Sequence, residues 1–309
     1  MSGGAELVAA VDIGGTRIKA ALVDRALGVV AQSTTPTPQD IADDIGGTVA
    51  ATVRALVATA QGTDGPHGSG FHLVGCGVVV PGLVDEASGV GLHSVNLGWR
   101  DLPIRSHVQS HLDLPVAVGH DVRSGLLAEA RVGAARGRRQ VLFMPLGTGI
   151  AGALLLDGSV VSGDGWAGEL GHVVIDPSGP RCPCGQRGCL EVLGSASAIE
   201  RSYAAQSPLA LSAEDIAARA AAGEALASSV WARAVRALGS AIVTTVTLTG
   251  VDLVLVGGGL SQSGEVLLAP LREDVAGRLT FQRPPTIERA GLGDRAGSLG
   301  AACLIWDAL

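Results

Sequence analysis

The sequence predicts an α/β protein built from two related lobes, and two observations lead to that prediction. An apolar strand at Leu7–Val11 runs into the glycine turn DIGGT and returns as a second strand at Arg17–Val23. The same order recurs later, where strand Val141–Pro145, the turn GTG and strand Ile150–Leu156 follow one another. Because a repeated supersecondary pattern indicates a duplicated unit, we expect two α/β lobes of similar construction.

The rest of the first half alternates strands with a helix. In order, we predict a strand, a helix, a loop and two more strands at Gly28–Ser33, Asp40–Gln61, Gln61–Gly70, Leu73–Val80 and Pro115–Val118. The helix has apolar residues at helical spacing, and the uninterrupted apolar run of Leu73–Val80 is typical of a strand buried on both faces. The last strand delivers two polar side chains, His120 and Asp121, at its carboxyl end.

The second half is predicted to be richer in helices. We expect a hairpin turn at Asp157-Gly158 and one buried strand at Asp252–Val256, which runs into three glycines. Helices are predicted at Ser124–Gly133, Glu224–Leu248, Glu265–Leu279 and Gly297–Leu309. No flexible linker is apparent, so we expect the two lobes to meet near Asp121.

Composition excludes several classes of protein. The 309 residues are 47% hydrophobic and 17% charged, which is enough apolar surface for a large core. The net charge of −7 and the 3% of aromatic residues argue against nucleic-acid binding. Neither a signal peptide nor an uninterrupted apolar run of membrane-spanning length is visible, so we expect a cytoplasmic protein.

A cluster of soft metal ligands lies between Gly168 and Glu191. His172, Cys182, Cys184 and Cys189 supply one imidazole and three thiolates, a complete tetrahedral set for zinc. A set with no open position is typical of a structural site, which here would fix a loop and the neighbouring carboxylates of Glu169 and Glu191.

Other interpretations of this cluster are open at this point. Two of the cysteines could form a disulfide, although a Cys-x-Cys pair has unfavourable geometry. A nucleic-acid-binding zinc ribbon usually has two knuckles and a basic surface, whereas this chain is acidic. His172 could also be an ordinary core histidine.

Three glycine turns, each following an apolar strand, predict nucleotide binding. Glycine lets backbone amides approach phosphate oxygens without obstruction from a Cβ atom. Asp12 ends the first strand and could hold a hydrated Mg²⁺, and the hydroxyls of Thr16 and Thr148 add donors. The turns match neither a P-loop nor a dinucleotide fingerprint. Their residues are Asp12, Gly14, Gly15, Thr16, Gly147, Thr148, Gly149, Gly257, Gly258 and Gly259.

The motifs DIGGTRIKA, GTGIAGALLLDG, GELGH and CPCGQRGCLE, followed by a late GGG, resemble in order and spacing the ROK family of repressors and sugar kinases. The resemblance covers essentially the whole chain. It implies the actin–hexokinase–Hsp70 (ribonuclease H-like) fold, with two lobes closing over ATP and a sugar in the cleft between them. We expect residues 1–121, with a C-terminal helix at about 297–309, to form the small lobe, and residues 122–296 the large one.

The resemblance also implies roles for individual residues. Asp121 matches the family's general base, and the glycine turns, together with Lys19, would line ATP. The sugar-side positions implied are Gly82, Asn96, His120, Asp121, Glu169, His172 and Glu191, and His172 would also bind zinc with the three cysteines. One departure is His120, where the family usually has asparagine. A histidine can donate, accept or titrate there, so it either alters sugar preference or is a tolerated substitute.

The activity implied is transfer of the γ-phosphate of ATP to a hexose, with glucose as the first expectation and Mg²⁺ and structural Zn²⁺ as cofactors. N-acetylmannosamine, fructose or mannose as acceptor, and polyphosphate as donor, are alternatives. A non-catalytic sugar-sensing repressor is disfavoured, since only six residues precede the first strand and the chain is acidic. A homodimer is the family-like expectation.

Overall fold

The chain forms two compact units in a computed structural model that describes residues 4–62 and 70–309. Residues 63–69 of the predicted loop Gln61–Gly70 therefore lie outside the described residues. Unit 1 comprises Met1–Val132, Ser162–Ala167 and Asp294–Leu309, and unit 2 comprises Gly133–Val161 and Gly168–Gly293. The functional division of the chain at Asp121 remains a prediction.

Unit 1 is built on a mixed sheet with strand order β3-β2-β1-β4-β8 and a small antiparallel sheet with order β5-β6-β7. Its strands are β1 (Ala5–Ile13), β2 (Arg17–Val23), β3 (Val29–Pro36), β4 (Phe71–Val80), β5 (Leu83–Asp85), β6 (Val90–Ser94), β7 (Trp99–Leu102) and β8 (Val116–His120). Its first three helices are α1 (Ile45–Gln61), α2 (Ile104–Leu112) and α3 (Asp121–Val132).

Two local differences from the sequence prediction have clear physical causes. Helix α1 begins at Ile45 instead of Asp40, because the Asp44 carboxylate accepts a hydrogen bond of 2.8 Å from the amide of Gly47 and caps the helix there. The small sheet β5–β7 was not predicted, since its strands are only three to five residues long and interrupted by glycine and polar residues.

Unit 2 contains a second mixed sheet with strand order β11-β10-β9-β12-β13. Its strands are β9 (Val141–Pro145), β10 (Ala153–Leu156), β11 (Ser159–Val160), β12 (Leu253–Gly257) and β13 (Thr286–Arg289). Its helices are α4 (Glu191–Gly194), α5 (Ala196–Ala204), α6 (Ala213–Ala221), α7 (Ala225–Thr249) and α8 (Glu265–Arg278). The apolar core of this unit includes Trp231 and Leu238 of α7 and Leu271 of α8.

The two large sheets share one topology. In each, the first three strands of the sheet order pair antiparallel and the remaining pairings are parallel. The strand–glycine-turn–strand repeat in the sequence corresponds to β1–β2 in unit 1 and β9–β10 in unit 2. The predicted α/β fold is confirmed.

The last helix, α9 (Ala296–Ala308), returns the chain to unit 1, where it packs against β1, β4, β8 and α3. The approach is close because small residues line it. A Cβ atom on Gly77 of β4 would collide with the backbone of Ala301, and one on Gly300 with the backbone of Ser124. Among the described residues, no helix is both long enough and apolar enough to cross a membrane.

Candidate active site and metal centre

The first glycine turn of unit 1, residues 12–16, is fixed by two hydrogen bonds. Asp12 at the end of β1 stands opposite Lys19 of β2. Within the turn, the amide of Gly14 donates to the carbonyl of Arg17 at 2.9 Å, and Thr37 Oγ1 donates to the Gly14 carbonyl at 2.7 Å. These bonds fix the turn while Gly15 and Thr16 stay exposed, so their donors face solvent and can meet an anion.

Asp12 has a perturbed carboxyl group. Burial, and to a smaller extent the nearby charge of Asp294, raises its pKa to about 6, while Lys19 acts in the opposite direction. A Cβ atom on Gly297 of α9 would collide with the Asp12 carboxylate, so only glycine leaves room there. A carboxylate with little compensating charge is suited to a hydrated Mg²⁺, which restores the charge balance when it binds.

The two glycine turns of unit 2 lie side by side. Strands β9 and β12 pair in parallel, and the amide of Leu146 donates to the carbonyl of Gly257 at 2.9 Å. Gly258 has a φ of 73° and packs against the backbone of Leu146, which excludes a side chain. Unit 2 therefore brings Gly147–Gly149 and Gly257–Gly259 together. Sequence reasoning missed Ser197, whose hydroxyl donates to the carbonyl of Thr148 at 2.6 Å.

Of the residues predicted to contact sugar, four lie in unit 1: Gly82, Asn96, His120 and Asp121. Gly82 has a φ of 100°, and a side chain there would collide with the carbonyl of His93. Asn96 is exposed and lies near the first glycine turn, since a Cβ atom on Gly15 would stand 3.9 Å from the Cβ atom of Asn96. Asp121 begins α3, and its Oδ1 accepts from the amide of Val122 at 2.7 Å.

His120 serves as the N-terminal cap of α3. The ring is 3% exposed, and its Nδ1 accepts from the amides of Val122 at 3.1 Å and Arg123 at 3.3 Å. Burial, with a smaller contribution from Arg123, lowers the pKa of His120 to about 3. The ring is therefore neutral with its proton on Nε2, and its 3.3 Å approach to Asp121 is not an ion pair. Of the three properties considered for a histidine at this position, titration near neutral pH is the one that burial disfavours.

Sequence reasoning missed a buried ion pair between Arg123 and Glu86. Arg123 is 2% exposed, and its Nε donates to Glu86 Oε1 at 3.0 Å. The same carboxylate oxygen accepts from the amide of His120 at 3.3 Å. The only sequence signal was an arginine two positions after a candidate general base.

In unit 2, the remaining residues predicted to contact sugar come together around one turn. Glu169 Oε2 lies 3.8 Å from His172 Nε2. Glu191 begins α4, and its Oε2 accepts from the amide of Ile150 at 3.1 Å. Gly171 permits this arrangement, since a side chain there would collide with the carbonyl of Ile150. Residues predicted to bind phosphate and residues predicted to contact sugar are thus neighbours within unit 2.

The four soft ligands also converge within unit 2. The ligand atoms of His172, Cys182, Cys184 and Cys189 all lie within 4.8 Å of one another, so the cluster could hold a metal ion. Cys184 Sγ stands 3.6 Å from Cys189 Sγ, and Cys182 Sγ stands 3.7 Å from His172 Nδ1. Tetrahedral zinc with bonds of about 2.3 Å to sulfur needs sulfur–sulfur separations of about 3.8 Å. Burial raises the pKa of the Cys189 thiol to about 12, so a thiolate there requires a compensating cation.

Comparison with known proteins places this geometry in a family. The ROK family model matches residues 8–308. A glucokinase from Halalkalibacterium halodurans is 32% identical over 316 residues, spanning 96% of this chain and 93% of that protein. The crystal structure of a ROK family glucokinase from Streptomyces griseus, in complex with glucose and AMPPNP, matches with a TM-score of 0.80 and 28% identity and covers 96% of this chain and 98% of that one.

A ROK family transcriptional regulator, a homolog of the E. coli MLC protein, matches with a TM-score of 0.86 and 26% identity, covering 98% of this chain and 78% of the regulator. Kinases and regulators of the same fold are therefore both among the relatives. With the family model matching nearly the whole chain and the phosphate turns, carboxylates and soft-ligand cluster all present, this chain belongs to the ROK family.

Proposed function

We propose that this protein is an ATP-dependent glucokinase, which transfers the γ-phosphoryl group of ATP to the 6-hydroxyl of glucose. The observation that supports it best is whole-length similarity to proteins named glucokinase, one of them solved with glucose and AMPPNP. The local geometry agrees with that activity, since each unit presents a glycine turn together with carboxylates. We also propose that the enzyme acts in the cytoplasm, where ATP is available, and as a homodimer.

The reaction needs a base because a sugar hydroxyl is a poor nucleophile at neutral pH. In our proposal, Asp121 takes the hydroxyl proton as the oxygen attacks the γ-phosphorus, while the bond to the β-phosphate oxygen breaks and ADP leaves. The amide of Val122, 2.7 Å from Asp121 Oδ1, fixes the rotation of the carboxylate. Asn96, Glu169, His172 and Glu191 would hold the sugar hydroxyls and so supply orientation.

The glycine turns and Lys19 would hold the phosphates through backbone amides and one ammonium group. Asp12 is the residue that fits Mg²⁺, and a bound Mg²⁺ would neutralise phosphate charge. The soft-ligand cluster fits Zn²⁺ as a closed structural site, which would hold the segment between Glu169 and Glu191 in place. His172 would connect the two roles, since Nδ1 faces Cys182 and Nε2 faces Glu169.

A coupled ADP-release assay with Mg·ATP tests the proposal against glucose, mannose, fructose, N-acetylglucosamine, N-acetylmannosamine and no sugar. We expect turnover that depends on glucose. A different preferred sugar would refute the glucose assignment, and preference for polyphosphate as donor would refute ATP. Asp121→Asn should lower kcat by about 10²–10⁴-fold with little change in glucose affinity, and near-normal turnover would remove Asp121 as the base.

A sugar-sensing protein without kinase activity is the second candidate, favoured by the likeness to a transcriptional regulator. It predicts sugar binding in calorimetry together with an absence of turnover for every sugar in the panel. Light scattering on a size-exclusion column tests the proposed homodimer.

A further inference from the structure

The buried guanidinium of Arg123 in unit 1 forms hydrogen bonds to four different residues. The guanidinium of Arg123, 2% exposed, donates to the Glu86 carboxylate and to three backbone carbonyls. These are Val84 at 3.3 Å, Gly165 at 3.5 Å and Ala167 at 2.9 Å. A buried ion pair is seldom more stabilising than an apolar pair of the same volume, so its presence calls for another explanation.

The partners of Arg123 lie in two separate segments, residues 84–86 and the turn 162–167. Glu86 Oε1 also accepts from the amide of His120, the residue directly before Asp121. On the other side, the carbonyls of Gly165 and Ala167 belong to the turn 162–167. Arg123 itself lies in the first turn of α3, which begins with Asp121. One planar group therefore ties β5, the β8–α3 junction and this turn together.

The turn that Arg123 holds has an unusual backbone. Gly163, Asp164 and Gly165 all have positive φ, at 53°, 53° and 91°. Three backbone hydrogen bonds within the turn, from the amides of residues 165–167, support this conformation, and the bonds from Arg123 to the carbonyls of Gly165 and Ala167 anchor the turn to α3. Trp166 lies between the two carbonyls that Arg123 binds, and its side chain is 65% exposed. The other tryptophans, Trp99, Trp231 and Trp306, are at most 8% exposed.

We propose that Arg123 and Glu86 are positioning residues for phosphoryl transfer: they fix the Asp121 carboxylate and the turn 162–167 relative to each other. The proposal rests on the kinase function proposed above. An apolar pair could fill the same volume, but only the fork of a guanidinium bonds several backbone segments at set distances. Because a displacement of about 1 Å near a reacting group can cost about 10²-fold in rate, loss of the pair should appear in kcat.

Two variants separate positioning from stability. Arg123→Met alone leaves Glu86 without its cation, so it should lower both kcat and thermal stability. The double variant Arg123→Met/Glu86→Leu removes the unpaired charge and should regain the stability that this charge costs, although the three backbone carbonyls still lack their donor. Arg131→Met is the matched control, since Arg131 also lies on α3 and forms an ion pair, with Asp307, at the far end of the helix.

We expect the double variant to keep a kcat about 10- to 100-fold below wild type, with KM for ATP changed less than about 3-fold. Arg123→Lys should recover part of kcat, since an ammonium group can bond some of the same acceptors. The time-resolved fluorescence anisotropy of Trp166 reports the mobility of the turn 162–167, and the signal of Trp166 is identified by subtracting the emission of Trp166→Phe. This anisotropy should fall in Arg123→Met and in the double variant, and it should stay unchanged in Arg131→Met.

Recovery of kcat together with stability in the double variant would overturn the proposal, because the pair would then be structural only. Unchanged Trp166 anisotropy in a variant with low kcat would also overturn it. Wild-type protein that turns over none of the sugars refutes the kinase function itself, and is recognised before any variant is made.

Discussion

His120→Asn should make the stability of this protein less sensitive to mild acid. The neutral His120 ring caps α3 from a buried position, and its pKa is about 3 in the fold against 6.5 for an ordinary histidine. Between these values the unfolded chain binds a proton that the folded chain excludes, so stability falls as pH falls from about 6.5 toward 3. Asparagine can still cap the helix but does not titrate.

The magnitude follows from that shift. Lowering the pH from 7 to 5.5 should cost the wild type roughly 1 kcal/mol at this one residue, with nearly all carboxylates still ionised. Urea unfolding at the two pH values gives the change in unfolding free energy for wild type and for His120→Asn, and the difference between these two changes is the contribution of His120. His72→Asn, at an exposed ring, is the control. Equal pH dependence in wild type and His120→Asn would refute a buried neutral ring.

Three further perturbations test the site. Gly149→Ala should raise KM for sugar several-fold, because the added methyl group displaces the Glu191 carboxylate. Gly147→Ala is the control, since its methyl group meets no atom within 4 Å and should leave KM for sugar unchanged. Equal effects of the two variants on this KM would contradict the prediction. Asp12→Asn should stabilise the protein by about 2 kcal/mol at pH 7.5 and by about half as much at pH 5. The reason is that burial disfavours the charged carboxylate, and this cost disappears as Asp12 becomes protonated. Denaturant unfolding at the two pH values measures the difference, and a loss of stability in the variant would refute the prediction. Cys184→Ser should reduce bound zinc from about one ion per chain to near zero and should lower Tm by several degrees. Elemental analysis measures the zinc content, and an unchanged content would exclude Cys184 as a ligand.

Elements with strong local signals could be predicted from the sequence. Strands β4, β9 and β12 are continuous apolar runs, and the soft-ligand cluster lies within a short stretch of chain. The convergence of the four ligands needed no long-range information, because the loop between His172 and Cys189 brings them together.

The Arg123–Glu86 pair could not be predicted, for a physical reason. The two residues lie 37 positions apart, and each taken alone is typical of a charged surface residue. The parallel pairing of β4 with β8 brings the segments that follow these strands together and makes the two residues neighbours. The return of residues 162–167 to unit 1 then completes the contacts of Arg123. The cap formed by His120 was hidden for a similar reason, since histidine is not a usual capping residue.

The position of α9 has a consequence for how the chain folds during synthesis. Strands β1, β4 and β8 of unit 1 are made before unit 2, yet the helix that packs on them is made only after unit 2. Until then the face of these strands that α9 covers stays open, although α1 and α2 already belong to the core on these strands, and an open apolar face is the condition in which nascent chains recruit chaperones or aggregate. Unit 2, almost continuous in sequence, can complete its core first. The slow step in folding should therefore be the docking of α9, because all of unit 2 separates this helix from the strands that it contacts.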